Sequence, residues 1–139
     1  MNTLHPDVRI GYVHLRVADL RPLGLGGVFL AAGSYHHIAL NASEPAGAAP
    51  PPAGHTGLHH VAVVFPDRAE LADPVDRLFE HDYPVTSAYD HQATVSVFVR
   101  DPGGNGLELY YDRPRHEWFD DAGRPVVKNE RLEPSTFLD

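Results

Sequence analysis

The chain contains no cysteine, so it can form no disulfide and offer no thiolate to a metal. Any cation it binds must be held by nitrogen and oxygen donors. Positive charge is also scarce: 11 Lys and Arg against 19 Asp and Glu give a net charge of −8 at pH 7 with histidine neutral. That balance excludes binding to nucleic acid or an anionic membrane by bulk attraction. Long apolar runs are missing too; none approaches the ~20 residues a membrane-spanning helix requires. The opening Met1-Asn-Thr-Leu-His-Pro6 lacks a basic segment followed by an apolar stretch, so no signal peptide is expected and a cytoplasmic location is. The 139 residues suit one domain with its own core.

What is present begins with a repeat. Gly11-Tyr-Val-His14-Leu-Arg-Val17 and Gly57-Leu-His-His60-Val-Ala-Val63 both read Gly-x-x-His-apolar-x-Val. Period-two alternation sets His14 opposite Val13 and Leu15, and His60 opposite Val61 and Val63. A third segment, Asp101-Pro-Gly-Gly-Asn-Gly-Leu-Glu108-Leu-Tyr110, carries Glu108 on a strand that follows a tight turn. Two neutral imidazoles and one carboxylate suit Fe(II), Mn(II), Ni(II) or Zn(II) and leave part of the coordination sphere open.

The rest of the pattern predicts an α+β protein. Residues 59–65 read as a strand ending at Pro66, and Asp67 with Glu70 forms a capping box for a helix whose face is Leu71, Val75, Leu78 and Phe79. Pro74 inside that stretch predicts a kink, or a restart with Asp73 as cap. Residues 83–89, 94–100 and 107–111 supply three further strands. The first half repeats this order in shortened form: a strand over 9–18, a Pro/Gly connection over 21–27, then a hairpin of 28–32 and 35–40 turning at Gly33-Ser34. From His60 to Glu108 the chain advances 48 positions, but from His14 to His37, the candidate counterpart of Glu108, only 23. The shortfall matches one helix and one strand. Their loss leaves strand directions consistent, because the connection need cross only one strand position, ~10 Å. Residues 42–56 form a linker of polyproline character.

These residues resemble the vicinal oxygen chelate superfamily of glyoxalase I, bleomycin and fosfomycin resistance proteins and extradiol dioxygenases. The marks are the paired Gly-x-x-His strands and the Asp101-Pro-x-Gly-Asn-Gly-x-Glu108 turn. Tyr35-His-His-Ile-Ala-Leu-Asn41 and Asp112-Arg-Pro-Arg-x-x-Trp118 are similar to the catechol 2,3-dioxygenase-like subgroup. The resemblance implies two βαβββ-type modules whose curled mixed sheets surround a metal cup, the first module lacking its helix and second strand. In those terms residues 1–120 form one domain, with modules at 9–41 and 57–112, and residues 113–139 extend it.

The resemblance carries over His14, His60 and Glu108 as metal ligands, with Fe(II) as the expected cation. It gives His37 the fourth position of the cup, where many members place a ligand and dioxygenases an acid–base group, although adjacent His36 would take it if the strand slipped by one residue. His91 stands where dioxygenases keep a histidine that stabilises bound oxygen; a solvated loop histidine is the competing reading. His55, His59, His81 and His116 read as surface residues, the turn glycines as hairpin formers, and the acidic segment 120–139 as a solvated wrap or interface arm. One departure stands out: the tyrosine that extradiol enzymes place ten positions before the ligand glutamate is Phe98 here. The expected activity is a metal-dependent dioxygenase acting on a small catechol-type aromatic. The alternatives are a non-catalytic binder of the antibiotic-resistance type, which Phe98 and the shortening favour, and a Zn or Ni lyase or isomerase. The shortened module should uncover the face carrying Val13, Leu15 and Val17, which predicts a homodimer.

Overall fold

A computed structural model describes residues 12–17, 27–31, 33, 37–42, 49, 52, 54–126 and 128–137. The chain divides into two compact units, Met1–His55 and Thr56–Asp139. The hairpin tip at Ser34, the residues Tyr35 and His36, and most of the connection over 21–27 lie outside the described residues.

In the second unit, β4 (Val61–Phe65), α1 (Arg68–Glu80), β5 (Val85–Asp90), β6 (Thr94–Arg100) and β7 (Gly106–Asp112) follow the expected strand–helix–strand–strand–strand order. A further strand, β8 (Glu130–Leu132), completes a sheet of order β4-β7-β6-β5-β8. β4 runs parallel to β7, and the other pairs are antiparallel. The segment read as a solvated arm therefore donates an edge strand to β5, with Tyr89 opposite Arg131.

Alternation decides which way each side chain points. Val95, Val97 and Val99 of β6 are buried with Ala88 of β5 against Leu71 and Val75 of α1, which are 0% exposed. Burying each of these valine and leucine side chains stabilises by about 1.5–3 kcal/mol. The helix starts at the predicted cap, where Asp67 Oδ1 accepts the Glu70 N–H at 3.0 Å, an interaction of about 1 kcal/mol. It does not restart at Asp73: one helix runs through Pro74. Pro74 withholds one N–H from the ladder, and the packing of Leu71 and Val75 on either side of it holds the turn together.

In the first unit, β1 (Val13–Arg16), β2 (Gly27–Leu30) and β3 (Ile38–Asn41) form a sheet of order β1-β3-β2. β1 is parallel to β3 and β2 antiparallel to it, repeating β4, β7 and β6 of the second unit. β1 and β2 sit on either side of β3, the one-strand separation that a module without its helix and second strand requires. The face expected to be uncovered is not: Leu15 is 5% exposed, and Val13 and Val17 are half-buried. Exposed apolar surface lies instead on β2, at Phe29 and Leu30. No helix among the described residues is long and apolar enough to cross a membrane.

Candidate metal centre

The face of the five-stranded sheet opposite α1 carries the polar residues of β6 and β7. Ser96 and Phe98 alternate with the buried valines of β6, and Glu108 alternates with Leu107 and Leu109 of β7. The ladders set Glu108 beside Ala62 on one side and Phe98 on the other. His60, two residues before Ala62, shares this face. Its Nε2 lies 3.0 Å from Glu108 Oε2, with side-chain exposures of 31% and 14%. The second carboxylate oxygen, Oε1, accepts from the Ser96 hydroxyl at 2.6 Å. Ser96 is itself fully buried, so its hydroxyl has strong reason to keep this partner.

Two features fix His60. Its Nδ1 is 2.7 Å from His59 Nδ1, so a proton carried by one ring is shared with the other. The second feature is the turn over 101–106. Asp101 accepts the Asn105 N–H at 2.8 Å and the Asn105 side-chain amide at 2.9 Å, and Gly104 takes a φ of +85°, which glycine adopts without strain. The turn delivers Gly106 against His59 and His60, where a Cβ would stand 2.4 Å from the His59 carbonyl oxygen and 3.1 Å from His60 Cβ. Glycine at this place lets the two strands approach closely enough for the imidazole and the carboxylate to meet.

The pair fits a divalent cation. With no cation, the Nε2 proton of His60 bridges to the carboxylate; a cation replaces that proton, and both atoms become donors. Two ligands at ~2.1 Å and a right angle lie ~3 Å apart, the spacing seen between these atoms. Partners behind each donor, Ser96 for Glu108 and His59 for His60, orient them as outer-shell groups do in metal sites. Burial holds the Tyr110 phenol above its usual range, with the charges of Asp112 and Glu108 adding to the shift; Tyr110 is a neutral phenol at pH 7.

Aromatic rings adjoin the pair. Phe98 meets His60 edge-on at 5.7 Å and Tyr89 at 6.1 Å. His91 stacks on Tyr89 at 5.8 Å and meets Phe98 edge-on at 6.4 Å. His91 is half-buried, and its Nδ1 lies 3.0 Å from the Lys128 carbonyl oxygen.

His14 and His37 belong to the first unit. His14 is exposed on β1, opposite Ala39 in register. His37 is exposed just before β3, its N–H donating to the Leu30 carbonyl at 2.8 Å and its carbonyl accepting from Val13 N–H at 2.9 Å. The register revises the correspondence drawn from spacing. Arg16 pairs with Asn41 and Ala62 with Glu108, each two residues beyond its histidine. Asn41, not His37, is therefore the counterpart of Glu108. Among the described residues no group of three or more His, Asp or Glu side chains is placed to hold a metal ion.

Ser96, His59 and Gly106 escape a reading of the sequence. Ser96 leaves one signal, a lone hydroxyl in the valine-rich Thr94-Val-Ser-Val-Phe-Val99. His59 is exposed, as expected of it, but also touches His60 through its ring.

The sequence profile of the Glyoxalase/Bleomycin resistance protein/Dioxygenase superfamily matches residues 9–109. The chain belongs to this superfamily. It is 31% identical over 133 residues to catechol-2,3-dioxygenase of Bacillus subtilis, covering 85% of this chain and 46% of that protein. It is 29% identical to biphenyl-2,3-diol 1,2-dioxygenase 2 of Rhodococcus globerulus, covering 64% of this chain and 47% of the relative. The chain thus spans about half the length of the curated relatives it matches. Among solved structures, a glyoxalase/dioxygenase from Nostoc punctiforme aligns with a TM-score of 0.60 at 18% identity, covering 82% of this chain and 99% of that one. A glyoxalase/bleomycin resistance protein/dioxygenase from Alicyclobacillus acidocaldarius gives 0.53 at 14% identity, covering 84% and 100%. These structural likenesses establish the fold.

Proposed function

We propose that the chain is a metal-dependent, extradiol dioxygenase-like enzyme acting on a small catechol-type aromatic, with His14, His60 and Glu108 as ligands of Fe(II). The observation that carries this reading is the contact between His60 Nε2 and Glu108 Oε2 at 3.0 Å, backed by Ser96. The bound cation would supply Lewis acidity to a chelated diol and a site for dioxygen. The protein's own part is to hold the ring and move its protons. Phe98 and Tyr89 offer apolar ring surface beside the ligand pair, and His37 and His91 are the proposed acid–base groups. A homodimer belongs to the same reading, motivated by Phe29 and Leu30, 65% and 48% exposed on β2.

Phe98 favours a second reading. It stands where a phenolic hydroxyl would orient substrate, and a face of apolar rings without that hydroxyl suits a protein that sequesters an aromatic compound without turning it over. One experiment separates the two: metal analysis of protein purified without a chelating tag, followed by oxygen uptake with catechol. Stoichiometric iron with catechol-dependent uptake supports the enzyme. Tight binding of an aromatic compound by metal-free protein, with no uptake after iron loading, sinks it in favour of the binder.

A further inference from the structure

We propose that residues 128–132 of the C-terminal extension are a positioning element that fixes His91 as its Nδ1–H tautomer and leaves Nε2 the ring's only proton acceptor. The use made of that acceptor rests on the function proposed above; the tautomer does not.

The contact between His91 and Lys128 has one possible polarity. His91 Nδ1 lies 3.0 Å from the Lys128 carbonyl oxygen. A carbonyl oxygen has no proton to give, so Nδ1 must donate. In a neutral imidazole the other nitrogen, Nε2, then carries the lone pair.

The surroundings deny the ring an easy alternative. His91 opens the turn between β5 and β6, where its N–H donates to the Thr94 carbonyl at 2.9 Å. Gln92 has a φ of +69° and donates its N–H to Asp90 Oδ1 at 2.7 Å. Its side-chain amide donates to the Glu117 carbonyl at 3.1 Å. Arg113 N–H donates to the Ala93 carbonyl at 2.8 Å, and the Arg113 guanidinium pairs with Asp90. The turn is thus clamped through Arg113 and Glu117 on one side. On the other, β8 pairs with β5 through Ala88–Leu132, Tyr89–Arg131 and Asp90–Glu130, and Lys128 N–H donates to the His91 carbonyl at 3.4 Å, so the Lys128 carbonyl stands at the Nδ1 edge of the imidazole. Tyr89, one of the paired residues, is also the ring on which His91 stacks. A short strand with little apolar content of its own thereby determines the protonation pattern of a ring far from it in sequence.

The chemistry follows. When a diol is bound, one O–H bond breaks and its proton moves to His91 Nε2, leaving the electron pair on the substrate oxygen. The ring becomes an imidazolium whose Nδ1–H still points at the Lys128 carbonyl, and that hydrogen bond strengthens because its donor is now charged. The opposite tautomer would present an N–H at Nε2 and could not take the proton. Lys128 through its carbonyl is a positioning residue, and His91 is the group it equips.

The test is the tautomer, read from two-bond proton–nitrogen correlations of the 15N-labelled full chain, metal-free and above the imidazole titration. We expect a protonated Nδ1 and an unprotonated Nε2 for His91. A majority of Nε2–H overturns the proposal whatever the activity. Arg131→Pro removes an N–H from β8 and should abolish the bias while the amide spectrum stays dispersed; a retained bias overturns the role given to residues 128–132. Should that variant fail to fold, the coupling across the hydrogen bond between His91 Nδ1 and the Lys128 carbonyl carbon of the intact chain decides, and its absence counts against the proposal. An Nδ1–H tautomer in iron-loaded protein that takes up no oxygen with catechol keeps the positioning and removes the dioxygenase function.

Discussion

Phe98 stands across the β6–β7 ladder from Glu108, and its ring meets His60 edge-on at 5.7 Å. It is therefore a wall of the candidate centre, not part of the valine core behind it. Phe98→Tyr adds a hydroxyl on that face. A hydrogen bond there contributes about 0.5–1.5 kcal/mol, which is roughly a two- to tenfold gain in affinity. Calorimetric titration of the iron-loaded variant with catechol should show this gain, and an affinity equal to wild type would remove Phe98 from the ligand's surroundings.

Glu108 supplies one oxygen to Ser96 and the other to His60. Glu108→Gln keeps shape and the Ser96 contact but removes the charge a cation requires. Loss of an outer partner of a metal ligand typically costs 10–100-fold in affinity, and loss of the ligand itself should exceed that. Metal content should fall with the melting temperature within a few degrees of wild type, since the partly exposed pair lies outside the core. Unchanged metal content would eliminate Glu108 as a ligand.

The module order was legible because its signals are local: the Asp67 cap, the Leu71 and Val75 stripe, the alternation of β6, and the Asp101 turn each act over a few residues. The His60–Glu108 meeting was legible because period two and a known turn motif together aim both side chains at one face. β8 was not, since Glu130-Arg-Leu132 has no alternation and takes its place from pairing with β5. The continuity of α1 through Pro74 is likewise a tertiary effect, decided by the packing of Leu71 and Val75. The strand position equivalent to Glu108 is not legible by counting residues from a histidine, because spacing ignores where pairing begins; the register sets Asn41 there.

Glycine spacing misleads in a similar way. Gly57 belongs to the repeated motif, yet a Cβ there meets nothing within 4 Å, whereas one at Gly106 would be 2.4 Å from the His59 carbonyl. Gly57→Ala should be close to neutral. Gly106→Ala must push the 59–60 backbone away from β7, and overpacking of this kind costs about 1–3 kcal/mol. It should also lower metal affinity by separating His60 from Glu108. Thermal melting and metal titration of both variants check this; equal behaviour of the two would contradict the close-approach argument.

The turn over 120–124 gives a pH prediction with a definite sign. The Arg124 N–H, the Arg124 side chain and the Ala122 N–H hold the Asp120 carboxyl below its ordinary range, the Arg124 backbone contact being the largest cause. A carboxylate with a depressed folded-state value contributes stability that is complete above the unfolded value and is lost as pH falls through the folded one. The Asp120 carboxyl signal should therefore titrate below that of an unstructured aspartate. Arg124→Ala removes the side-chain donor at 2.8 Å but keeps the backbone N–H at 2.9 Å, so the midpoint should rise only part of the way to the unstructured value. A full return would mean that the side chain alone sets the shift, and an unmoved midpoint that it sets none of it.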